Sequence, residues 1–183
     1  MRTILLLSAL ILAGCAHAAS APDFTLRADS GNAWNLSAQR GKTVLLTFGF
    51  THCADTCPAT LAKLAHLTQR LGSRGSRSVI AFVTVDPKRD TPHALHVYLQ
   101  RFRPESGSPI VGLTGTQPQI DAVEQAYHVW AQRIPGRHGR PNEYDEAHSA
   151  VIYFIDGNGR IRSLHDDDDA DAVLAHALAE AMT

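Results

Sequence analysis

Thr47-Phe48-Gly49-Phe50-Thr51-His52-Cys53-Ala54-Asp55-Thr56-Cys57-Pro58 is the stretch on which the reading of this chain turns. The run from Lys42 to Phe50 that leads into it is largely apolar and β-branched, as in a strand buried on both faces. Beyond it, Pro58 suits the first position of a helix reaching to about Leu71, with Leu61, Leu64, Ala65 and Leu71 on its inner side. Cys57 then falls at the helix cap, where unpaired amides and the helix dipole favour a thiolate. Cys53 lies on the loop above. In an open α/β sheet, ligands gather beyond the carboxyl ends of the strands, which is where this loop sits.

Working outward, Phe24–Leu26 and Trp34–Leu36 flank the turn signal Asp29-Ser30-Gly31-Asn32 and predict a hairpin. Gly72 to Arg77 reads as a polar loop and Ser78–Val85 as a second buried strand. Helices are expected from Thr91-Pro92 to about Phe102 and from Thr116 and Pro118 to Val129, with a short strand at Ile110–Leu113 between them. Residues 131–147 are polar and rich in Gly, Pro and Arg, and read as a long loop or irregular hairpin. Ser149–Ile155 and Arg160–Leu164 flank Asp156-Gly157-Asn158-Gly159 as a second hairpin, and Ala170–Met182 closes the chain as a helix. Strands alternating with helices, then an antiparallel hairpin and a last helix, predict an α/β fold of thioredoxin-like type. Its central mixed sheet is flanked by helices on both faces and carries an N-terminal β-hairpin and insertions.

The 183 residues fit one domain, and 44% hydrophobic content is enough for one sizeable core. Basic and acidic residues, 17 against 18, nearly cancel, and no long basic run argues for nucleic acid. Residues 1–20 read as a secretory signal, with Arg2 before the apolar run Ile4–Leu12, which is too short to span a bilayer. Two processing sites compete. Leu12-Ala13-Gly14-Cys15 has the form of a bacterial lipobox that would lipidate Cys15; Ala16-His17-Ala18 suits ordinary cleavage. The lipobox is favoured because the apolar run stops immediately before it. Residues 18–22 read as a tether, and 21–183 as the folded domain. Both processing routes export the protein, to the periplasmic side in a bacterium, with the membrane touched only through the lipid anchor.

With Cys15 lipidated or removed, Cys53 and Cys57 remain, in an oxidising compartment. A disulfide across so short a loop adds little stability, so the pair suits exchange chemistry or a soft ion such as Cu(I). His148, in Asp145-Glu146-Ala147-His148-Ser149, precedes a hairpin strand whose leading loop lies beside the cysteines in this fold, and is the candidate third ligand. Asp86, in Val85-Asp86-Pro87-Lys88-Arg89-Asp90-Thr91-Pro92, leaves the second buried strand at the same edge and is a candidate to orient a ligand or take a proton; Asp90 or Thr91 reads as a helix cap. His52 adjoins Cys53, but consecutive side chains rarely aim at one point. Asp166–Asp169 reads as acids favouring the first turn of the last helix. His93, His96, His128 and His176 read as surface residues, and His138 and His165 as weak metal binders at most.

In order along the chain stand Phe-Gly-Phe-Thr-x-Cys-x-x-x-Cys-Pro, Val-Asp-Pro-x-Arg-Asp-Thr-Pro, Gly112-Leu113-Thr114-Gly115, and His148-Ser149 with the following Tyr153. With these four blocks the chain, from about Phe24 onward, resembles the Sco family of copper chaperones, also called SenC or PrrC. The resemblance implies a thioredoxin fold and a copper site, Cu(I) or Cu(II), made by Cys53, Cys57 and His148. It implies assembly of the dinuclear copper centre of cytochrome c oxidase, with a receiving oxidase subunit and a copper donor protein as partners, and a protein expected to be a monomer. Two positions depart from the family pattern: Ala54 where Pro is usual, and Ala147 where Asp is usual, with Asp145 and Glu146 nearby. An exported thiol-disulfide oxidoreductase, reducing cysteines of an oxidase subunit or acting in redox signalling, is the alternative. A peroxiredoxin-type peroxidase fits less well, because Thr51 precedes Cys53 by two residues where that chemistry uses Thr-x-x-Cys.

Overall fold

Thr43–Gly49 (β3) is buried at every position, as is Ser78–Thr84 (β4) beside it. Such strands belong in the middle of a sheet covered on both faces. The computed structural model describes residues 19–136 and 144–183. Its element order is β1 (Thr25–Ala28), β2 (Ala33–Asn35), β3, α1 (Thr56–Arg70), β4, α2 (Pro92–Leu99), β5 (Ile110–Thr114), α3 (Gln117–Ala126), β6 (Ala131–Pro135), β7 (Tyr144–His148), β8 (Val151–Ile155), β9 (Ile161–Asp166) and α4 (Asp171–Ala181). Seven strands form a mixed sheet in the order β2-β1-β5-β4-β3-β8-β9. β3, β4 and β5 run parallel, and the hairpins β1–β2 and β8–β9 pair antiparallel at its two sides. The predicted class therefore holds.

Side chains alternate across a strand, so each residue of β3 assigns a face. Gly49 looks onto the Phe82 ring and Cys57 Sγ, and Phe82 stacks on Tyr98 of α2. Thr43 on the same side donates to the carbonyl of Ala181 in α4. Hence α1, α2 and α4 cover one face. Phe48, on the other, meets Tyr127, which follows α3. No helix among the described residues is long and apolar enough to cross a membrane.

Several boundaries differ from expectation. Helix α1 begins at Thr56 with Asp55 as its cap residue, so Cys57 lies inside the first turn and not at the cap. The Gly72–Arg77 segment winds as a 3-10 helix. Helix α3 ends at Ala126, and His128 then takes a left-handed φ of 53°. Residues 131–147 hold a separate two-stranded sheet, β6 with β7, so the hairpin reading is the correct one for their described part. The acidic run is not the first turn of α4: Asp166 ends β9, Ala170 caps the helix, and Lys63 Nζ holds the intervening turn through the carbonyls of Asp167 (2.7 Å) and Asp169 (3.0 Å). Nor is the leading segment a free tether from Ala19 on. Ser20 bridges to Arg160, and Ile161 N–H donates to the Ala19 carbonyl at 2.8 Å. Cys15, the two processing sites and His138 lie outside the described residues.

Candidate metal centre

The carboxyl end of β3 carries the chain into the cysteine loop, which turns back through a hydrogen bond from the Cys53 N–H to the Phe50 carbonyl at 3.3 Å. The first amides of α1 have no partner within the helix. Asp55 offers no side-chain cap; instead Cys53 Sγ accepts from the Cys57 N–H at 3.3 Å. Cys57 Sγ lies 3.6 Å from His148 Nε2. His148 Nδ1 is 3.0 Å from the Ser149 carbonyl, an acceptor, so this nitrogen carries a proton; Nε2 then presents its lone pair to the thiols in the neutral imidazole and donates to the Cys53 thiolate in the imidazolium. Phe50 packs edge-on against the imidazole with centroids 5.9 Å apart. Both cysteines are free thiols, Cys57 buried and Cys53 half-buried.

The charge sits where the sequence did not put it. Hydrogen bonding from the Cys57 thiol, then from His148 and the amides of Cys57 and Asp55, outweighs burial and brings Cys53 down to about 4. The same Cys53 neighbour, with burial, pushes Cys57 up. For His148 burial opposes the charge, but the bonds to Cys53 and Ser149 prevail and its pKa is raised. The pair therefore shares its first thiolate mainly on Cys53, whose sulfur faces the helix amides.

Asp86 does not reach the cysteines or the histidine. It is fully buried and bonds Arg89 and the Tyr144 hydroxyl. Asp90 is not a cap; Thr91 is, accepting from Ala94 N–H at 3.2 Å. Asp90 is buried and holds Thr51 at the start of the cysteine loop. His52 is exposed, with Nδ1 3.1 Å from the Thr51 hydroxyl. His165 pairs with Asp169 at 2.8 Å, away from the thiols. Arg89 and Tyr144 carry contacts the sequence reading missed; the one available signal was Arg89 within the Asp-Pro-Lys-Arg-Asp block.

Two thiols and an imidazole are a soft-to-borderline donor set that suits copper. Among the described residues the donors neighbour one another without the spacing of a closed metal site. An open hollow of about 350 Å³ beside them is lined by Phe50, Cys53, Trp130, Ile134 and His148, with Trp130 55% exposed at its rim.

Known proteins share this frame. An SCO2-like protein of Rickettsia conorii is 38% identical over 138 residues, covering 75% of this chain and 65% of its own length, so about a third of that relative lies outside the match. The structure of Bradyrhizobium japonicum ScoI with copper bound superposes with a TM-score of 0.76 at 31% identity, covering 89% of this chain and 98% of that one. The apo Sco1 protein of Thermus thermophilus gives 0.75 at 32% identity, with 91% of each chain covered. The SCO1/SenC sequence pattern matches residues 14–183, and with a thiol pair and histidine meeting at the expected edge of the sheet, the chain belongs to the SCO1/SenC family.

Proposed function

We propose that the protein binds copper through Cys53, Cys57 and His148 and hands it on during assembly of the dinuclear copper centre of cytochrome c oxidase. The observation that carries this reading is the 3.6 Å approach of His148 Nε2 to Cys57 Sγ with Nδ1 already committed to the Ser149 carbonyl. In its neutral form an imidazole so held offers a lone pair to whatever the thiols bind. Copper bound as Bradyrhizobium ScoI binds it supports the choice of metal. Cu(I) is the cargo that two thiolates and one imidazole fit; Cu(II) would take a further, weaker oxygen ligand. Transfer is ligand exchange: thiols of the receiving oxidase subunit replace those of Cys53 and Cys57 one at a time across the open hollow, after a donor protein has loaded the site. Export, with anchoring by a lipid on Cys15, places the protein on the periplasmic side.

Copper titration of the reduced protein tests this, by anaerobic Cu(I) competition and Cu(II) absorption. One equivalent is expected, with sulfur-to-copper charge-transfer bands lost in Cys53→Ser, Cys57→Ser and His148→Ala. Tight binding indifferent to His148→Ala would sink the site assignment.

A second reading, thiol-disulfide exchange, is favoured by one observation: Cys53 has the low pKa of an attacking thiol, about 4, beside a protonated Cys57. An oxidoreductase continues thiol-disulfide exchange in His148→Ala without metal; a copper protein loses affinity there.

A further inference from the structure

His148 stands on a hairpin that is no part of the seven-stranded sheet. The mutual bonds of Trp130 and Ser149, 2.8 and 3.1 Å, close the base of that hairpin on itself. What fixes its rotation over the thiols is at its far end. The Tyr144 hydroxyl donates to Asp86 Oδ1 at 2.9 Å, and Arg89 Nη1 donates to the Tyr144 carbonyl at 2.9 Å. The guanidinium carbons of Arg89 and Arg133 lie 3.7 and 4.0 Å from the Tyr144 ring centroid, distances that fit only if they take opposite faces. Arg89 in turn bonds the fully buried Asp86, whose own amide is held by Thr84 Oγ1 at 2.9 Å.

Side chains of a strand alternate, so Tyr144, Glu146 and His148 share one face of β7. Clamping Tyr144 toward the β4–α2 loop turns His148 toward Cys57; a one-residue slip would turn both away. Arg89 also lies 5.7 Å from the Phe50 ring, which itself packs against His148, so one guanidinium touches both Tyr144 and the ring that packs on the imidazole.

We infer that Tyr144, gripped by Asp86, Arg89 and Arg133, is the positioning residue that holds His148 over the two cysteines. The inference rests on the reading of His148 as a copper ligand, and its test separates the two. In the reduced, copper-free protein, the imidazole resonance of His148, identified by its loss in His148→Ala, is followed by NMR in Tyr144→Ala and Tyr144→Phe. Tyr144→Ala is expected to move it to the position of a solvated histidine. Cu(I) affinity should fall by on the order of tenfold, as when the support of a ligand is removed. In a His148→Ala background, adding Tyr144→Ala should then cost nothing further, because both changes act through one ligand. Tyr144→Phe keeps the ring between the guanidiniums, loses the Asp86 bond, and should shift the resonance part of the way. An unmoved resonance in folded Tyr144→Ala, or copper losses that add to those of His148→Ala, overturns the inference. If Tyr144→Ala does not fold, an unmoved resonance in Tyr144→Phe overturns it equally. If the wild type binds no copper, the ligand reading fails while the copper-free resonance still decides the clamp.

Discussion

Thr51 is tied twice to Asp90: its amide donates to Oδ2 at 3.0 Å and its hydroxyl to Oδ1 at 2.6 Å. Thr84 adds a third bond, to Oδ2 at 2.7 Å. A buried carboxylate thus fixes the residue two before Cys53, linking the ends of β3 and β4. Removing it in Asp90→Ala leaves a buried amide and hydroxyls unpaired, at a cost of about 2–4 kcal/mol. Burial outweighs the Thr51 and Thr84 bonds and raises the Asp90 pKa. The sign follows: a raised acid pKa means the folded state prefers the neutral form. Stability from this group is fully present below the unfolded value of about 3.9 and declines as pH rises through the folded value. Urea midpoints against pH should show that decline in the wild type and lack it in Asp90→Asn.

Cys53 should titrate first and alone. With its pKa at about 4, absorbance of the reduced, metal-free protein near 240 nm should rise around that pH, and iodoacetamide at mildly acidic pH should modify Cys53 and spare Cys57. The Cys57 thiol is the largest stabiliser of the Cys53 anion, so Cys57→Ala should move the Cys53 midpoint upward. Equal alkylation of both cysteines at acidic pH would contradict the assignment of the first thiolate.

These contrasts mark what the sequence could disclose. β3 and β4 were legible because strands buried on both faces are written in long apolar runs, and the cysteines stand at the end of such a run. The start of α1 was misread because Pro58 fits the first helical position so well; two further residues join the first turn because Cys53 Sγ satisfies an amide there. β6 and β7, Ala-Gln-Arg-Ile-Pro and Tyr-Asp-Glu-Ala-His, show no apolar alternation. They are held by Arg133–Glu146 within the hairpin and by Arg89 on Tyr144, a partner 55 residues away in the chain. No local pattern encodes such a pairing. His148 was found through its neighbours in the motif, and its support through the structure.

Glu124 should make the protein less stable above neutrality. Burial first, then Asp121 and Glu146, raises its pKa to about 7, and its Oε1 is buried with no hydrogen-bond partner among the described residues. Because the folded value exceeds the unfolded one of about 4.3, the folded state loses ground as pH climbs from there to about 7 and then levels off. Allowing for the partial exposure of the side chain, the loss is on the order of 1 kcal/mol. Glu124→Gln should therefore raise the melting temperature at pH 8 and leave it nearly unchanged at pH 4. A variant no more stable than the wild type at pH 8 would refute this.

Gly49 should tolerate no side chain, and the reason lies at the metal centre. A Cβ there would stand 2.6 Å from Phe82 Cε2 and 2.7 Å from Cys57 Sγ, closer than atoms can pack. The Phe82 ring is fixed by stacking on Tyr98 at 6.0 Å, so it has little room to retreat. Cys57 is the easier neighbour to displace, and any displacement changes its 3.6 Å relation to His148. Gly49→Ala is thus expected to cost about 1–3 kcal/mol in stability, as overpacking does, and also to weaken copper binding. Phe82→Leu, by opening space on the ring side, should recover stability in the double variant; recovery of copper affinity with it would show that Gly49 matters by leaving room for the Cys57 sulfur. Wild-type stability and affinity in Gly49→Ala would mean that the first turn of α1 can move away from β3.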